Sequence, residues 1–176
     1  MIETRSLPII VGIDGSTNSL VALRWALREG GVRGVPVEVI HCWQAQLWPG
    51  VVFGPVQEMH TGSMCMVQNE IAAALVDIHP RPDVIQTSIK GQPVPTLLAR
   101  SARASLIVLG AHGHTNLRDR LFGQVADSCL RRANCPVVVI DRDGNESSEH
   151  RLGEGASEEL AGLLTVGAPE PAGREL

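Results

Sequence analysis

The residues best placed to do chemistry in this 176-residue chain lie in the run LGAHGHTNLRDRLFGQV, from Leu109 to Val125. Gly110, Gly113 and Gly123 punctuate it, with His112, His114, Arg118 and Arg120 in between. The run leaves a strongly apolar segment, SLIVLG, and stays mostly polar until a helical pattern resumes at Gln124. Glycine lets backbone N–H groups approach an anion with no Cβ in the way. A helix opening straight after Gly123 adds N–H donors without intrahelical partners and the positive end of the peptide dipole. The dipole contributes about 0.3–1 kcal/mol, and a hydrogen bond to a charged group roughly 1.5–3 kcal/mol. Arg118 and Arg120 could serve the same charge. On spacing alone two readings stand: a loop shaped by its glycines, or a cradle for a phosphate-bearing ligand.

A second polar cluster follows the first apolar run. In IDGSTNS, Gly15 suits a tight bend and Ser16 or Thr17 suits the cap of the next helix. Asp14 can help cap that helix, accept hydrogen bonds from a ribose hydroxyl or an adenine amine, or do both. Cys42 and Trp43 close the second apolar run. In an open parallel sheet these strand ends gather at one edge, where strand order reverses and ligands bind. Other phosphate motifs are absent: there is no G-x-x-x-x-G-K-[ST], and no G-x-G-x-x-G opens a helix after the first strand. Catalytic signals are weaker. His112 and His114 are two apart with no third metal ligand indicated, G-x-S-x-G is missing, and no carboxylate pair suggests a general acid and base. The sequence supports a binding site better than a reaction.

The elements that must position these residues alternate along the chain. LPIIVGI (Leu7 to Ile13), VPVEVIHC (Val35 to Cys42), DVIQTSIK (Asp83 to Lys90), SLIVLGA (Ser105 to Ala111) and CPVVVID (Cys135 to Asp141) read as strands. Runs apolar on both faces suit a parallel sheet covered by helices on each side. Leu20, Leu23 and Leu27 mark a first helix, which the pair Gly30-Gly31 is expected to stop. Met64, Val67, Ile71, Leu75 and Ile78 form the stripe of a second, from about Ser63 to Ile78; its methionines read as core filler. Val94 to Ala102 and Gln124 to Ala133 fit the third and fourth. The fold class is therefore α/β, a three-layer sandwich around a five-stranded parallel sheet with right-handed crossovers.

Two segments break this rhythm. Gln44 to Gly62 is long and rich in Pro and Gly, and holds Trp48 and Phe53, so it reads as a lid. Its tryptophan and Trp43 are expected to flank the pocket. After Asp141 the chain turns acidic, with three basic and eight acidic residues, against twelve and eleven before it. Residues 142–176 are expected to be a tail without a strand, disordered save for a transient helix in ASEELAGLL, with docking as the alternative role. Residues 1–141 form the domain.

Composition narrows the class further. A near-neutral body with no basic stripe argues against nucleic acid as the partner. No segment approaches the eighteen apolar residues of a membrane span, and the N-terminal apolar run is too short and wrongly flanked for a secretory signal. Four cysteines, at 42, 65, 129 and 135, have neither C-x-x-C nor zinc spacing and read as free thiols of a reducing compartment. The expected location is cytoplasmic.

From about Pro8 to Asp141 the order of these pieces resembles the universal stress protein family. IIVGIDGSTNSLVALRWALREG is similar to its first strand and helix, and GQPVPTLLARSARASLIVLGAHG with GQVADSCLRRANCPVVVI to its C-terminal half. The most specific feature is G-x2-G-x9-G, met by Gly110, Gly113 and Gly123. The resemblance, to the nucleotide-binding branch, implies an adenine nucleotide alpha-hydrolase-like fold, an adenine nucleotide (ATP, ADP, AMP or cAMP) as ligand, and a homodimer formed through the last strand, Pro136 to Ile140. It implies that Asp14 and the backbone around Cys42 meet adenine and ribose, and that Leu109, Gly110, Gly113, Gly123, Gln124 and Val125 line ribose and phosphates. One position departs from the family pattern: Gln124 stands where a Ser or Thr hydroxyl would contact phosphate, and Ala126 also lacks a hydroxyl. The longer amide side chain loses more rotamer entropy when fixed, which predicts weaker terminal-phosphate binding and little preference for ATP. The expected function is a stress-response regulatory module. The alternatives are a nucleotide-free scaffold of the same fold or a slow ATP hydrolase.

Overall fold

The chain runs β1 (Ile9–Ile13), α1 (Thr17–Arg33), β2 (Val37–Trp43), β3 (Leu47–Trp48), β4 (Val51–Val52), α2 (Val56–Ala74), β5 (Val84–Lys90), α3 (Pro93–Ser101), β6 (Leu106–Gly110), α4 (Gln124–Arg132), β7 (Val137–Ile140) and β8 (Glu146–His150). The computed structural model describes residues 6–44, 47–48, 51–52, 56–111 and 122–150. The main sheet has the order β5-β2-β1-β6-β7-β8. Its first five strands are all parallel, as their two-sided apolar character requires, and β8 alone is antiparallel.

Helices cover both faces. Helices α1 and α2 pack together on one side, over Val11, Val37, Val39, Leu106 and Val108. Helices α3 and α4 pack on the other, over Ile10, Ile40, Ile107, Leu109 and Val139. Successive strand residues thus feed the two cores alternately, and each fully buried Ile, Leu or Val contributes about 1.5–3 kcal/mol. Chain order reverses between β1 and β6: β1 leads through α1 to β2 on one side, while β6 enters on the other. That is the switch point at which a crevice opens.

The helix limits correct the sequence reading in two places. Helix α1 passes through Gly30-Gly31 and stops at Gly34, which takes the left-handed conformation at φ 65° and donates its N–H to the carbonyls of Gly30 and Gly31. The glycine pair serves close packing instead. A Cβ on Gly30 would strike the Val37 side chain, and one on Gly31 the carbonyl of Pro80. Helix α2 begins at Val56 and ends at Ala74, earlier at both ends than expected, with Ser63, Val67, Ile71 and Ala74 buried. Ile78 is buried beyond its end, so an apolar stripe outlasts the helix.

The third correction concerns the acidic segment. Expected to hold no strand, it supplies β8, which pairs with the outer edge of β7. The edge expected to join two copies is occupied by the chain's own backbone. The rest of the expected tail, residues 151–176, lies outside the described residues. No helix among the described residues is long and apolar enough to cross a membrane.

Candidate functional site

A cavity of about 330 Å³ opens at the switch point, on the side of the sheet covered by α3 and α4. That volume lies within the usual range of small-molecule pockets. Its walls come from the ends of β1 (Gly12, Ile13), β2 (Ile40, Cys42) and β6 (Leu109, Gly110), from Asp14, Ser16 and Ser19 at the entry to α1, from Pro93 and Leu97 of α3, and from Gly123 to Ala126 at the start of α4. Of the eight residues singled out from the sequence, Asp14, Cys42, Leu109, Gly110, Gly123, Gln124 and Val125 line this one cavity. Gly113 lies outside the described residues, as do His112, His114, Arg118 and Arg120.

The β1–α1 turn is held by its own polar groups. Ser16, rather than Thr17, caps the helix: its Oγ accepts from Ser19 N at 3.2 Å. The Asp14 carboxylate accepts from Ser16 N at 3.0 Å, and Ser19 Oγ donates to Ser16 O at 2.9 Å while accepting from Asp14 N at 3.3 Å. Asp14 is therefore held at the cavity wall by an Asx turn onto Ser16, and Ser16 itself caps the helix.

The α4 side carries the opposite electrical character. Gly123 is the N-cap, extended at φ −63° and ψ 157°, and makes no side-chain cap hydrogen bond. The first intrahelical bond is that of Asp127 N to Gly123 O at 3.0 Å, so the N–H groups of Gln124, Val125 and Ala126 precede the helical ladder. Gly123 N donates to Ala111 O at 2.7 Å, and Ala111 N to Ile140 O at 2.8 Å. These bonds bring both ends of the glycine loop beside the cavity. A carboxylate on one wall and helix N–H donors on the other suit a ligand with hydrogen-bond donors at one end and negative charge at the other.

The floor is apolar. Leu97 and Leu109 are buried, and Gly12 faces both of their side chains. Cys42 joins this surface. Burial pushes its thiol pKa up, against weaker downward pulls from Thr96 and the Arg100 charge, so it is a neutral, weakly polar wall. Arg100 itself pairs with the buried Glu38 carboxylate, which also accepts from Thr87 Oγ1 at 2.8 Å. That pair ties α3 to the sheet beneath the cavity.

Trp43 is not at the cavity. Strand alternation turns it, with His41, toward α2 on the opposite side of the sheet. There its Nε1 donates to Ser88 Oγ at 2.9 Å, and its ring meets His60 edge-on at 6.2 Å between centroids. Ser88 Oγ lies 2.7 Å from Ser63 Oγ, which lies 2.7 Å from His41 Nδ1. The lid reading of Trp48 concerns residues whose side-chain surroundings are not among those described.

Sequence reasoning missed Gly12, Ile40, Pro93 and Leu97. Only their place in the fold marks them. Among the described residues no group of three His, Cys, Asp or Glu side chains could hold a metal ion.

Comparison with known proteins places this geometry. Residues 7–141 match the family model described as the universal stress protein family. A universal stress protein of Mycobacterium tuberculosis (strain H37Rv) is 32% identical over 141 residues, covering 77% of this chain and 48% of that protein. The chain thus spans about half the length of the curated relatives it matches. Among solved structures, the universal stress protein UspA from Lactobacillus plantarum is similar with a TM-score of 0.64 at 19% identity, over 78% of this chain and 99% of that one. A universal stress protein crystallised in complex with cAMP gives a TM-score of 0.59 at 21% identity, over 79% and 99%.

Proposed function

Because the chain belongs to the universal stress protein family, we propose that its cavity binds an adenine nucleotide and that the protein acts as a regulatory module rather than primarily as a catalyst. The observation that carries this reading is the pairing of Asp14 with the α4 N-terminus across one cavity. In it, the base and ribose lie over the apolar floor of Leu97, Leu109 and Cys42, within reach of Asp14. The phosphates lie against the N–H groups that open α4. The bound cAMP of the similar solved structure supports an adenine ligand.

Two features argue for a binding role. Asp14, the carboxylate in the wall, is engaged by the backbone of its own turn, and among the described residues no second carboxylate lines the cavity. Gln124, which lines the cavity, brings an amide where the family pattern has a hydroxyl. The expected ligand range is therefore broad, with ATP, ADP, AMP and cAMP bound within about an order of magnitude of one another.

Calorimetric titration of nucleotide-stripped protein with ATP, AMP and cAMP tests the reading. Gly123→Val is the control, because the extended backbone at that position accepts a side chain that would crowd the wall. Micromolar binding lost in the variant is the expected result. No heat with any of the three from folded protein would favour the scaffold alternative, and release of ADP from ATP at a steady rate would favour the hydrolase.

A further inference from the structure

The end of the sheet opposite the cavity has a chemistry of its own. Strand β7 is followed by a turn in which Asp141 Oδ1 accepts from Asp143 N at 2.8 Å and from Asn145 N at 2.9 Å. Strand β8 then runs back along β7, pairing Ile140 with Glu146 and Val137 with His150. The chain therefore leaves β8 beside the start of β7, where all the parallel strands begin.

Three arginines lie at that end. Arg131 and Arg132 close α4, and Arg103 sits in the turn between α3 and β6. The two turns are joined, since Asn134 N donates to Ser101 Oγ at 2.9 Å and Asn134 Nδ2 to the same oxygen at 3.3 Å. All three arginines are exposed. Arg131 pairs with Asp127 on its own helix, whereas Arg103 and Arg132 form no ion pair among the described residues. Apolar surface comes next. Ser105 N and Oγ donate to Pro8 O at 2.9 and 3.1 Å, which sets Leu7, 51% exposed, just beyond the Arg103 turn. Inward from β8 the order is thus Arg131 and Arg132 before β7, Arg103 before β6, and Leu7 before β1.

The sequence after β8 carries the complementary chemistry in the same order. Residues 152–166 hold Glu154, Glu158 and Glu159 and no basic residue, and the acids are followed by Leu160, Leu163 and Leu164. Neighbouring strands lie about 4.8 Å apart, so β1, three places from β8, is roughly 14 Å away. The eight residues from His150 to Glu158 can span up to roughly 26 Å, and the carboxylates reach the arginines with slack. Exposed ion pairs are individually weak, but a tether of this length holds the two sides at a local concentration on the order of millimolar.

We propose that residues 154–164 of this chain are the occupant of that surface, with their carboxylates on Arg103 and Arg132 and their leucines over Leu7. The acidic segment is then an intramolecular clamp laid across the starts of β7, β6 and β1, which salt or a more acidic competitor releases. The inference concerns the end of the sheet away from the cavity, and stands whatever the cavity binds.

The test is a charge reversal in three full-length proteins: the unaltered chain, Glu154→Lys/Glu158→Lys/Glu159→Lys, and the same triple variant with Arg103→Glu/Arg132→Glu added. Nuclear magnetic resonance relaxation gives the order parameters of the Leu160, Leu163 and Leu164 amides, and unchanged strand amide shifts report an intact fold. In the unaltered chain at low salt these order parameters should exceed about 0.6, the bound below which a backbone counts as flexible. They should fall below it in the triple variant, fall likewise at about 1 M salt, where screening acts within about 3 Å, and return in the doubly reversed protein. Low values in the unaltered chain overturn the proposal, as do values that ignore the reversal or fail to return. Values that fall on dilution overturn it too, since they put the segment on a second copy.

Discussion

Gly110 lies so close to Asn18 that a Cβ added to it would sit 2.8 Å from the Asn18 carbonyl carbon and 2.9 Å from its oxygen. The first glycine of the loop motif is thus also the point where β6 passes under α1. Neither backbone atom can swing aside as a side chain would. Gly110→Ala is expected to destabilise the fold by about 1–3 kcal/mol, as overpacking does. Denaturant melts would show a lower midpoint with an unchanged slope.

Asp14 joins two roles that substitution can separate. Asp14→Asn keeps an oxygen to accept from Ser16 N and should melt close to the unaltered protein. Asp14→Ala loses that acceptor and should cost about 0.5–1.5 kcal/mol. For nucleotide, both should bind more weakly, by roughly tenfold, or about 1.4 kcal/mol. Stability and calorimetric affinity measured on the same preparations check the split. Equal affinity in all three proteins would remove Asp14 from the ligand's surroundings.

Gln124 bears on which nucleotide is preferred. Gln124→Ser restores a short hydroxyl at the first residue of α4. It should tighten ATP by about tenfold while leaving AMP nearly unchanged, within the roughly 1.5–3 kcal/mol available to a charge-assisted hydrogen bond. The ratio of the two dissociation constants is the measurement. A ratio unaffected by the substitution would place the terminal phosphates away from Gln124.

His41 carries a pH dependence. Burial lowers its pKa below the ordinary 6.5, with the Asp14 charge opposing in part. In the neutral form with its proton on Nε2, Nδ1 accepts from Ser63, Ser63 accepts from Ser88, and Ser88 accepts from the Trp43 indole, which can only donate. A lowered folded pKa means that the unfolded chain takes up the proton first. Stability should be level above about pH 7 and fall as pH drops through 6.5 toward the folded value. Thermal melts from pH 8 to 5 should show that decline, and His41→Gln should flatten it. Trp43 emission should change over the same range, since its acceptor belongs to the network.

The strands were legible because a run apolar on both faces has few other places to go. Gly110, Gly123, Asp14 and Cys42 were legible as neighbours because strand ends converge in a parallel sheet. Helix limits were less so. Gly30-Gly31 looks like a stop, yet the pair is needed for contacts with Val37 and Pro80, which are distant in sequence. Trp43 was assigned to the cavity because it adjoins Cys42, and a strand sends neighbours to opposite faces. Pro93 and Leu97 carry no chemical signal, and only the packing of α3 beside α4 makes them floor. Strand β8 was invisible for another reason. It is an edge strand held by backbone pairing and a turn, and its composition resembles that of the segment after it.

The cavity is assembled from five stretches far apart in sequence: the end of β1 with the entry to α1, the end of β2, the start of α3, the end of β6 and the start of α4. No fragment of the chain holds the site, and the unfolded chain has none. Whatever occupies it draws the folding equilibrium toward the native state by mass action, by about 2.7 kcal/mol at a hundred times its dissociation constant. For a domain with the marginal stability usual of native proteins, that is a large share of the whole. A bound ligand therefore stabilises the fold with no conformational switch required.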